Sequence, residues 1–407
     1  MTTYNHERYI TAAIQSVLDQ TFGDFELVIV NDGSTDGTDE QVRRFDDERI
    51  VYLLQENQGP SCATNNAILA SRGRYVALTS GDDVSYPRRL QQQLDAVTES
   101  SCHVIFSWFD FIDSAGRVIP GDFGDGRFDI HNRSRAEYLR DLFFKGNFLH
   151  DVTALIDRQA LLDAGLYDVA SIQSQDFDMH LKLLRDHDFF VVPERLVGYR
   201  MRSDRMNLSK NSVRTVFELC QVYRRMLERV PIELFREAFK DQVRRSDFKD
   251  GVEFELEKAF VYLSHDQRWI QSLASEKLFG LFQDPEVRVV AKTRYSLGVP
   301  QLYEMYQSAD VASIALFEEL QRWIKELETG KDWLDEQRRN WMRTAEETRA
   351  ELETARLALV ETQSQLSDSR RLCDDALAAV ARAQASTFWK LRILGSKLKR
   401  FLVGGAR

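Results

Sequence analysis

Short apolar runs alternate with longer amphipathic stretches over the first two hundred residues. Residues 25–31 (FELVIVN) form a β-branched apolar run that stops at the turn cluster Asp32-Gly33-Ser34. A run of that length, bounded by a turn, reads as a buried parallel strand. Residues 49–54, 74–79 and 103–107 read the same way. Helical spacing fills the intervals at 7–20, 36–45, 60–71 and 87–99, with Pro60 and Pro87 placed at first helical turns. Strand–helix alternation of this kind predicts an α/β domain, with a mostly parallel, Rossmann-like sheet flanked by helices.

Residues 4 and 5 look like the turn after a first strand, yet only Met1 to Thr3 precede them. The expectation is that most of a central strand is missing, by truncation or by a wrongly chosen start. Its loss would remove several buried side chains, at about 1.5–3 kcal/mol each.

The pattern then changes twice. From 211 to 319 it is amphipathic and helical. From 320 to 385 the chain is rich in Glu, Arg, Ala, Leu and Gln, and Leu352, Leu359, Leu366, Cys373 and Val380 recur every seven residues. That is a heptad pattern for a coiled coil; one long solvated helix with an apolar edge is the plainer reading. The predicted organisation is an α/β domain at 1–210, a helical domain at 211–319, a coiled coil at 320–385 and a basic amphipathic tail at 386–407. In the tail, Trp389, Leu391, Leu394, Phe401 and Leu402 mix with Lys390, Arg392, Lys397, Lys399 and Arg400, and no acidic residue follows Asp375. Such a segment can lie in a membrane interface or dock on its own protein.

Hydrophobic residues make up 43% of the chain and charged residues 29%, which suits a packed core and argues against disorder. A formal net charge of −10 disfavours bulk nucleic-acid binding. Cys62, Cys102, Cys220 and Cys373 are scattered without a C-x-x-C pair, which argues against a disulfide framework or a zinc site. No apolar run approaches the ~20 residues of a membrane-spanning helix, and the first ten residues lack a signal-peptide core, so a cytoplasmic location is expected.

Candidate chemistry sits in the turns at strand ends, where α/β sheets bind ligands. Three such turns are polar: Thr3-Tyr4-Asn5, Asn31-Asp32-Gly33-Ser34 and Ser80-Gly81-Asp82-Asp83. Each alone is ordinary loop composition. Asp32 can accept hydrogen bonds from a nucleobase N–H. Asp82-Asp83 can offer oxygen to Mg²⁺ or Mn²⁺ shared with a diphosphate, or can cap the helix near Pro87. In Gln175-Asp176-Phe177-Asp178, either aspartate can cap the following helix, or one can stand in a cleft as a general base. Asn147-Phe148-Leu149-His150 precedes an expected strand at 152–156 and could line an acceptor side, although a histidine such as His150 is more often a plain loop residue.

The motif series TTYNHERYI, SVLDQTFGDFELVIVNDGSTDGT, ENQGPSCATNNAILASRGRYVALTSGDD, LLDAGLYD and SQDFDMHLKLL resembles the family 2 glycosyltransferases over residues 1 to about 210. The resemblance implies a GT-A domain that uses a nucleotide-diphospho-sugar and inverts the anomeric carbon. By it, Thr3, Tyr4 and Glu7 lie near the base, Asp32 binds the base ring, and Gly59 and Asn65 border the nucleotide. Asp82 matches the last aspartate of the Asp-x-Asp metal motif, Asp176 the catalytic base, and Arg200 a basic residue of the segment closing over the diphosphate. Apart from the resemblance, Gln175 and His150 are candidates for the acceptor side. Ser80 replaces the first aspartate of Asp-x-Asp, which weakens ribose or metal contact there. Thr64, Gln175 and Arg202 stand where arginine, glutamate and histidine are frequent.

The expected activity is hexosyl or deoxyhexosyl transfer to a glycan or lipid-linked hydroxyl in cell-surface polysaccharide assembly, with a divalent cation as cofactor. Expected partners are the donor, the acceptor, a second copy through the coiled coil and the inner membrane surface, but no nucleic acid. The competing reading is a weakened transferase that recruits enzymes through its coiled coil. A nucleotidyltransferase lacks its glycine- and basic-rich phosphate loop here, and a dinucleotide oxidoreductase lacks G-x-G-x-x-G after a strand.

Overall fold

The structure is a computed structural model that describes residues 1–120, 129–201, 212–308 and part of the span 361–394. The chain forms two compact units, Met1–Leu320 and Gln321–Arg407. In the second unit the described residues between 361 and 382 are helical, and Leu372, Leu377 and Val380 are exposed. Heptad positions Leu352, Leu359, Leu366 and Cys373, most of the basic tail and Arg202 lie outside the described residues.

In the first unit, β1 (Thr2–Thr3), α1 (Ile10–Leu18), β2 (Leu27–Asp32), α2 (Thr38–Arg43), β3 (Ile50–Gln55) and α3 (Pro60–Ala70) alternate as the apolar pattern predicts. The strands form a parallel sheet in the order β1-β2-β3. Every residue of β2 is buried, because both faces of this central strand are covered. On one face Leu27 and Ile29 meet Ile10, Ala13, Ile14 and Val17, which recur at helical spacing on α1. On the other, Val28 and Val30 meet Ala63 of α3. β1 has two residues, and the Met1 amine donates to Val28 O at 2.8 Å.

The second sheet contains β4 (Tyr75–Ala77), β5 (Val84–Ser85), β6 (Val104–Ile112), β7 (Leu155–Asp157) and β8 (Phe189–Arg200), ordered β4-β7-β6-β8-β5. A parallel bridge from Thr2 to Ser80 links the two sheets. β6 and β8 are parallel, whereas β7 runs antiparallel to β4 and β6, and β5 antiparallel to β8. The apolar pattern cannot report strand direction, so these antiparallel pairings had no signal in it. β6 extends to Ile112, beyond the expected 107, with register shifts around Trp108 that realign it on β8. The strand expected at 152–156 begins instead as a 3₁₀ turn at Asp151–Thr153 before β7.

Helices α4 (Arg89–Ser100), α5 (Arg135–Lys145), α6 (Arg158–Asp163) and α7 (Gln175–Leu184) flank this sheet. Pro60 occupies the first turn of α3 as expected, whereas Pro87 precedes the α4 cap residue Arg88. Ser134 and Glu137 form a reciprocal capping box that starts α5. Then follow α8 (Ser212–Met226), α9 (Ile232–Ala238), α10 (Val252–Leu263), α11 (Arg268–Leu281), α12 (Pro285–Tyr295) and α13 (Val299–Ser308). The largest apolar core runs from Ile68 to Ala274 and so draws on both the α/β and the helical spans. Phe143 of α5 packs edge-on against Phe239 at 5.2 Å, and Tyr223 Oη donates to Phe143 O at 3.0 Å.

Candidate active site

The turns that follow β1, β2 and β4 open on a cavity of about 1840 Å³. Thr3, Tyr4, Asp32, Gly59, Ser80, Asp82, His150, Gln175, Asp176 and Arg200 all line it. Glu7 and Asn65 do not. The Glu7 carboxylate accepts from Gly37 N–H at 3.1 Å, which ties the first turn to the start of α2. Asn65 exchanges two hydrogen bonds of 2.9 Å with the backbone of Tyr167, which pins α3 to the chain before α7.

Asp32 ends β2 and is buried. Its Oδ1 accepts from Gln55 Nε2 at 2.7 Å and from Gln58 N at 2.8 Å, and its Oδ2 accepts from Gly59 N at 2.9 Å. The carboxylate therefore shapes the loop into α3 as well as facing the cavity. Gly33 follows with φ +71°, and a Cβ there would meet Asn57 N at 2.7 Å, so glycine is required on both counts. Thr3 is buried, and its Oγ1 has no hydrogen-bond partner among the described residues. Tyr4 presents an exposed ring at the rim.

Asp82 and Asp83 diverge. Asp82 accepts from Ser80 Oγ at 2.5 Å, and its Oδ2 lies 3.6 Å from His6 Nε2. Asp83 is buried, and its carboxyl is held well above the usual range, first by burial and then by the neighbouring Asp82 charge. Arg200 N–H donates to Asp83 Oδ1 at 2.8 Å, and the Arg200 guanidinium reaches Asp82 O at 2.6 Å and Asp113 O at 2.7 Å. Arg200 thus fastens the end of β8 over the 80–83 turn. Beneath it lies Arg89, whose guanidinium contacts Leu78 O, Ala154 O, Ser85 Oγ and Gln93 Oε1; burial lowers its pKa to about 10.

Asp176 lies in the first turn of α7. Its Oδ1 accepts from Phe177 N at 2.7 Å and its Oδ2 from Asn147 Nδ2 at 3.1 Å. Burial, reinforced by the charge of Asp151, raises its pKa to about 6, and His180 opposes the shift. A carboxylate poised there suits a general base near neutral pH. Asp178 instead pairs with Lys182 at 2.7 Å, away from the cavity lining. The turn before α7 is held by Glu218 of α8, which accepts from the N–H groups of Ile172, Gln173 and Ser174 at 3.0, 2.7 and 2.9 Å. His150 packs against Phe109 at 4.7 Å between ring centroids, and burial lowers its pKa to about 4.

Sequence reasoning missed His6, Asp151, Tyr199 and Arg214, which also line the cavity, and His180 beside it. The four-residue spacing of Asp176 and His180 on one helical face was a usable signal; the others depend on chain crossings. Among the described residues no group of three or more His, Cys, Asp and Glu is arranged to hold a metal. Asp82 offers a cavity-facing carboxylate. That fits Mg²⁺ or Mn²⁺, which take one or two protein carboxylates and complete their shells from substrate phosphates and water.

Three comparisons with known proteins agree. The model of the family described as Glycosyl transferase family 2 matches residues 1–165. The Bacillus subtilis glycosyltransferase TuaG is 31% identical over 227 residues, which cover 54% of this chain and 84% of TuaG. An uncharacterized glycosyltransferase of Methanocaldococcus jannaschii is 28% identical, over 49% of this chain and 69% of its own. The Escherichia coli glucosyltransferase WfgD is 25% identical, over 52% and 78%. Among solved structures, Staphylococcus aureus TarS 1–349 in complex with UDP-GlcNAc superposes with a TM-score of 0.50 at 18% identity, over 79% of this chain and 90% of that one. This last likeness concerns the fold alone. The strand order, the polar turns at its carboxyl ends and these matches together make the chain a member of glycosyl transferase family 2 with a GT-A fold.

Proposed function

We propose that the protein transfers a sugar from a nucleotide-diphospho-sugar to an acceptor hydroxyl, with inversion, in the assembly of a cell-surface polysaccharide. The observation that carries this is the convergence of Asp32, Asp82 and Asp176, from three distant turns, on one cavity. The names of relatives point the same way: TuaG is named for teichuronic acid biosynthesis, and WfgD for glucosyl transfer from UDP-Glc to a diphosphoundecaprenol-linked sugar. A uridine diphosphate donor and a lipid-linked glycan acceptor are the corresponding proposals here.

In this reading the nucleobase lies beside Asp32 and Tyr4. Asp82 holds a divalent cation, which supplies charge neutralisation to the departing diphosphate. Asp176 takes the acceptor proton as that oxygen attacks the anomeric carbon. The bond from that carbon to the phosphate oxygen breaks, and its electron pair leaves with the diphosphate. One displacement gives one inversion, and no second carboxylate is needed as nucleophile. His150, neutral near pH 7, and Gln175 lie on the acceptor side. Gathered, cavity-facing carboxylates favour this reading over a scaffold. Among the described residues no helix is long and apolar enough to cross a membrane. The basic tail at 386–407 is proposed to hold the protein on an anionic inner membrane surface.

Titration calorimetry with UDP, with and without Mn²⁺, tests the donor site. Manganese-dependent binding that Asp82→Ala abolishes is expected. Wild-type affinity in Asp82→Ala would remove the metal role. Consumption of UDP-glucose or UDP-N-acetylglucosamine tests transfer, and undiminished consumption by Asp176→Asn would remove the base.

A further inference from the structure

Asp176 does not stand alone in the cavity wall. Its Oδ1 is pinned by the Phe177 N–H at 2.7 Å, and its Oδ2 by Asn147 Nδ2 at 3.1 Å. The other end of that amide, Asn147 Oδ1, accepts from Leu149 N–H at 3.2 Å. This second bond settles which end of Asn147 faces the carboxylate, because the oxygen is already engaged with a donor. Asn147 Oδ1 also lies 3.3 Å from His180 Nδ1, and His180 Nε2 lies 2.9 Å from Asp151 Oδ1.

His180 has no exposed surface and packs edge-on against Phe106 at 5.2 Å. An imidazole in an apolar core costs free energy unless its nitrogens are satisfied. Here both nitrogens face oxygens: Nδ1 faces Asn147, which leads on to the Asp176 carboxylate, and Nε2 faces Asp151. Asn147 and Asp151 come from the loop after α5 and the turn before β7, whereas His180 comes from α7, one turn beyond Asp176. Two separate stretches of chain, 147–151 and 176–180, are thereby tied together around one carboxylate. The other titratable groups that face this cluster are Tyr167, Tyr199 of β8 and His150.

We propose that Asn147, His180 and Asp151 form a buried positioning chain that fixes the plane of the Asp176 carboxylate and aims its remaining lone pairs into the cavity. The inference rests on Asp176 being the base, and it adds what orients and tunes that base. Asn147 donates to the charged form and favours it, whereas Asp151 brings a like charge that disfavours it. The two substitutions therefore act on Asp176 in opposite directions. A purely structural role for either residue would give no such pair of signs.

The test needs no known substrate. The full-length protein is labelled with ¹³C at the aspartate carboxyls, and its NMR signals are titrated between pH 4 and 8. The Asp176 signal is assigned by its loss in Asp176→Asn. Asp151→Asn is expected to move the Asp176 midpoint down by roughly one pH unit, and Asn147→Ala to move it up. Wild-type midpoints in both folded variants would overturn the chain. Should Asn147→Ala fail to fold, Asn147→Asp is the second variant. It is close in size and adds a carboxyl group beside Asp176, and an unmoved midpoint there has the same consequence. Turnover of Asp176→Asn separates the two ideas. An inactive Asp176→Asn with unmoved midpoints removes the chain and leaves the base, whereas an active Asp176→Asn removes the base.

Discussion

The backbone N–H of Gly59 donates to Asp32 Oδ2 at 2.9 Å, which joins the end of β2 to the start of α3 across 27 residues of sequence. With Gln55 Nε2 and Gln58 N on Oδ1, the same carboxylate organises one wall of the cavity from within. Asp32→Ala should leave these donors unpaired and cost about 2–3 kcal/mol in urea unfolding, while UDP binding weakens. Unchanged stability together with weakened UDP binding would mean that Asp32 serves the ligand and not the loop.

Asp176→Asn should abolish turnover and also stabilise the protein. Burial raises the Asp176 pKa from 3.8 to about 6, so its folded form holds a proton that the unfolded chain has lost between those values. Stability therefore falls as pH rises from about 4 to 6 and stays reduced above, by roughly 2–3 kcal/mol. The amide removes that loss. Its gain should be present at pH 7.5 and absent at pH 4 in paired thermal melts. Equal melting temperatures at pH 7.5 would contradict a raised pKa.

The rate of the wild-type enzyme should carry the same signature. A base must be ionised to accept a proton, so turnover should fall tenfold per pH unit below about 6. An acid limb centred near pH 4 in kcat would mean that the base keeps an ordinary carboxylate pKa.

Glu218 connects the helical span to the site. Its carboxylate caps three successive N–H groups at 172–174, immediately before Asp176. Glu218→Ala should destabilise by about 2–3 kcal/mol and lower kcat, although Glu218 is not in the cavity lining. Glu218→Gln keeps one acceptor oxygen and should recover part of both. Full activity in a folded Glu218→Ala would show that the turn is held without it.

Among the described residues Arg89 is the largest fully buried side chain, and it sits near the buried Asp83. Arg89→Met should cost about 2–3 kcal/mol, because it takes a buried donor from the Leu78 and Ala154 carbonyls. Chemical denaturation reads this directly, and a loss below 1 kcal/mol would mean that the two carbonyls find other donors without Arg89.

Periodicity pointed to the α/β class and to β2 and α1, because each buries a continuous or helically spaced apolar set of its own residues, whereas β3 buries none of its residues fully and α3 buries Ser61 and Asn65 beside Ala63 and Ile68. The polar turns at 3–5, 31–34 and 80–83 were legible for the same local reason. Other features were decided only in three dimensions. Strand direction in the second sheet depends on which chain crosses beside which, and no apolar run encodes that. Arg200 and Asn65 spend their hydrogen bonds within the fold, on residues 87 to 118 positions away. The chain from Asp151 through His180 and Asn147 to Asp176 joins two distant stretches, 147–151 and 176–180. A carboxylate acquires its direction and proton affinity from neighbours in space, so the sequence could nominate Asp176, but only packing could set what it is poised to do.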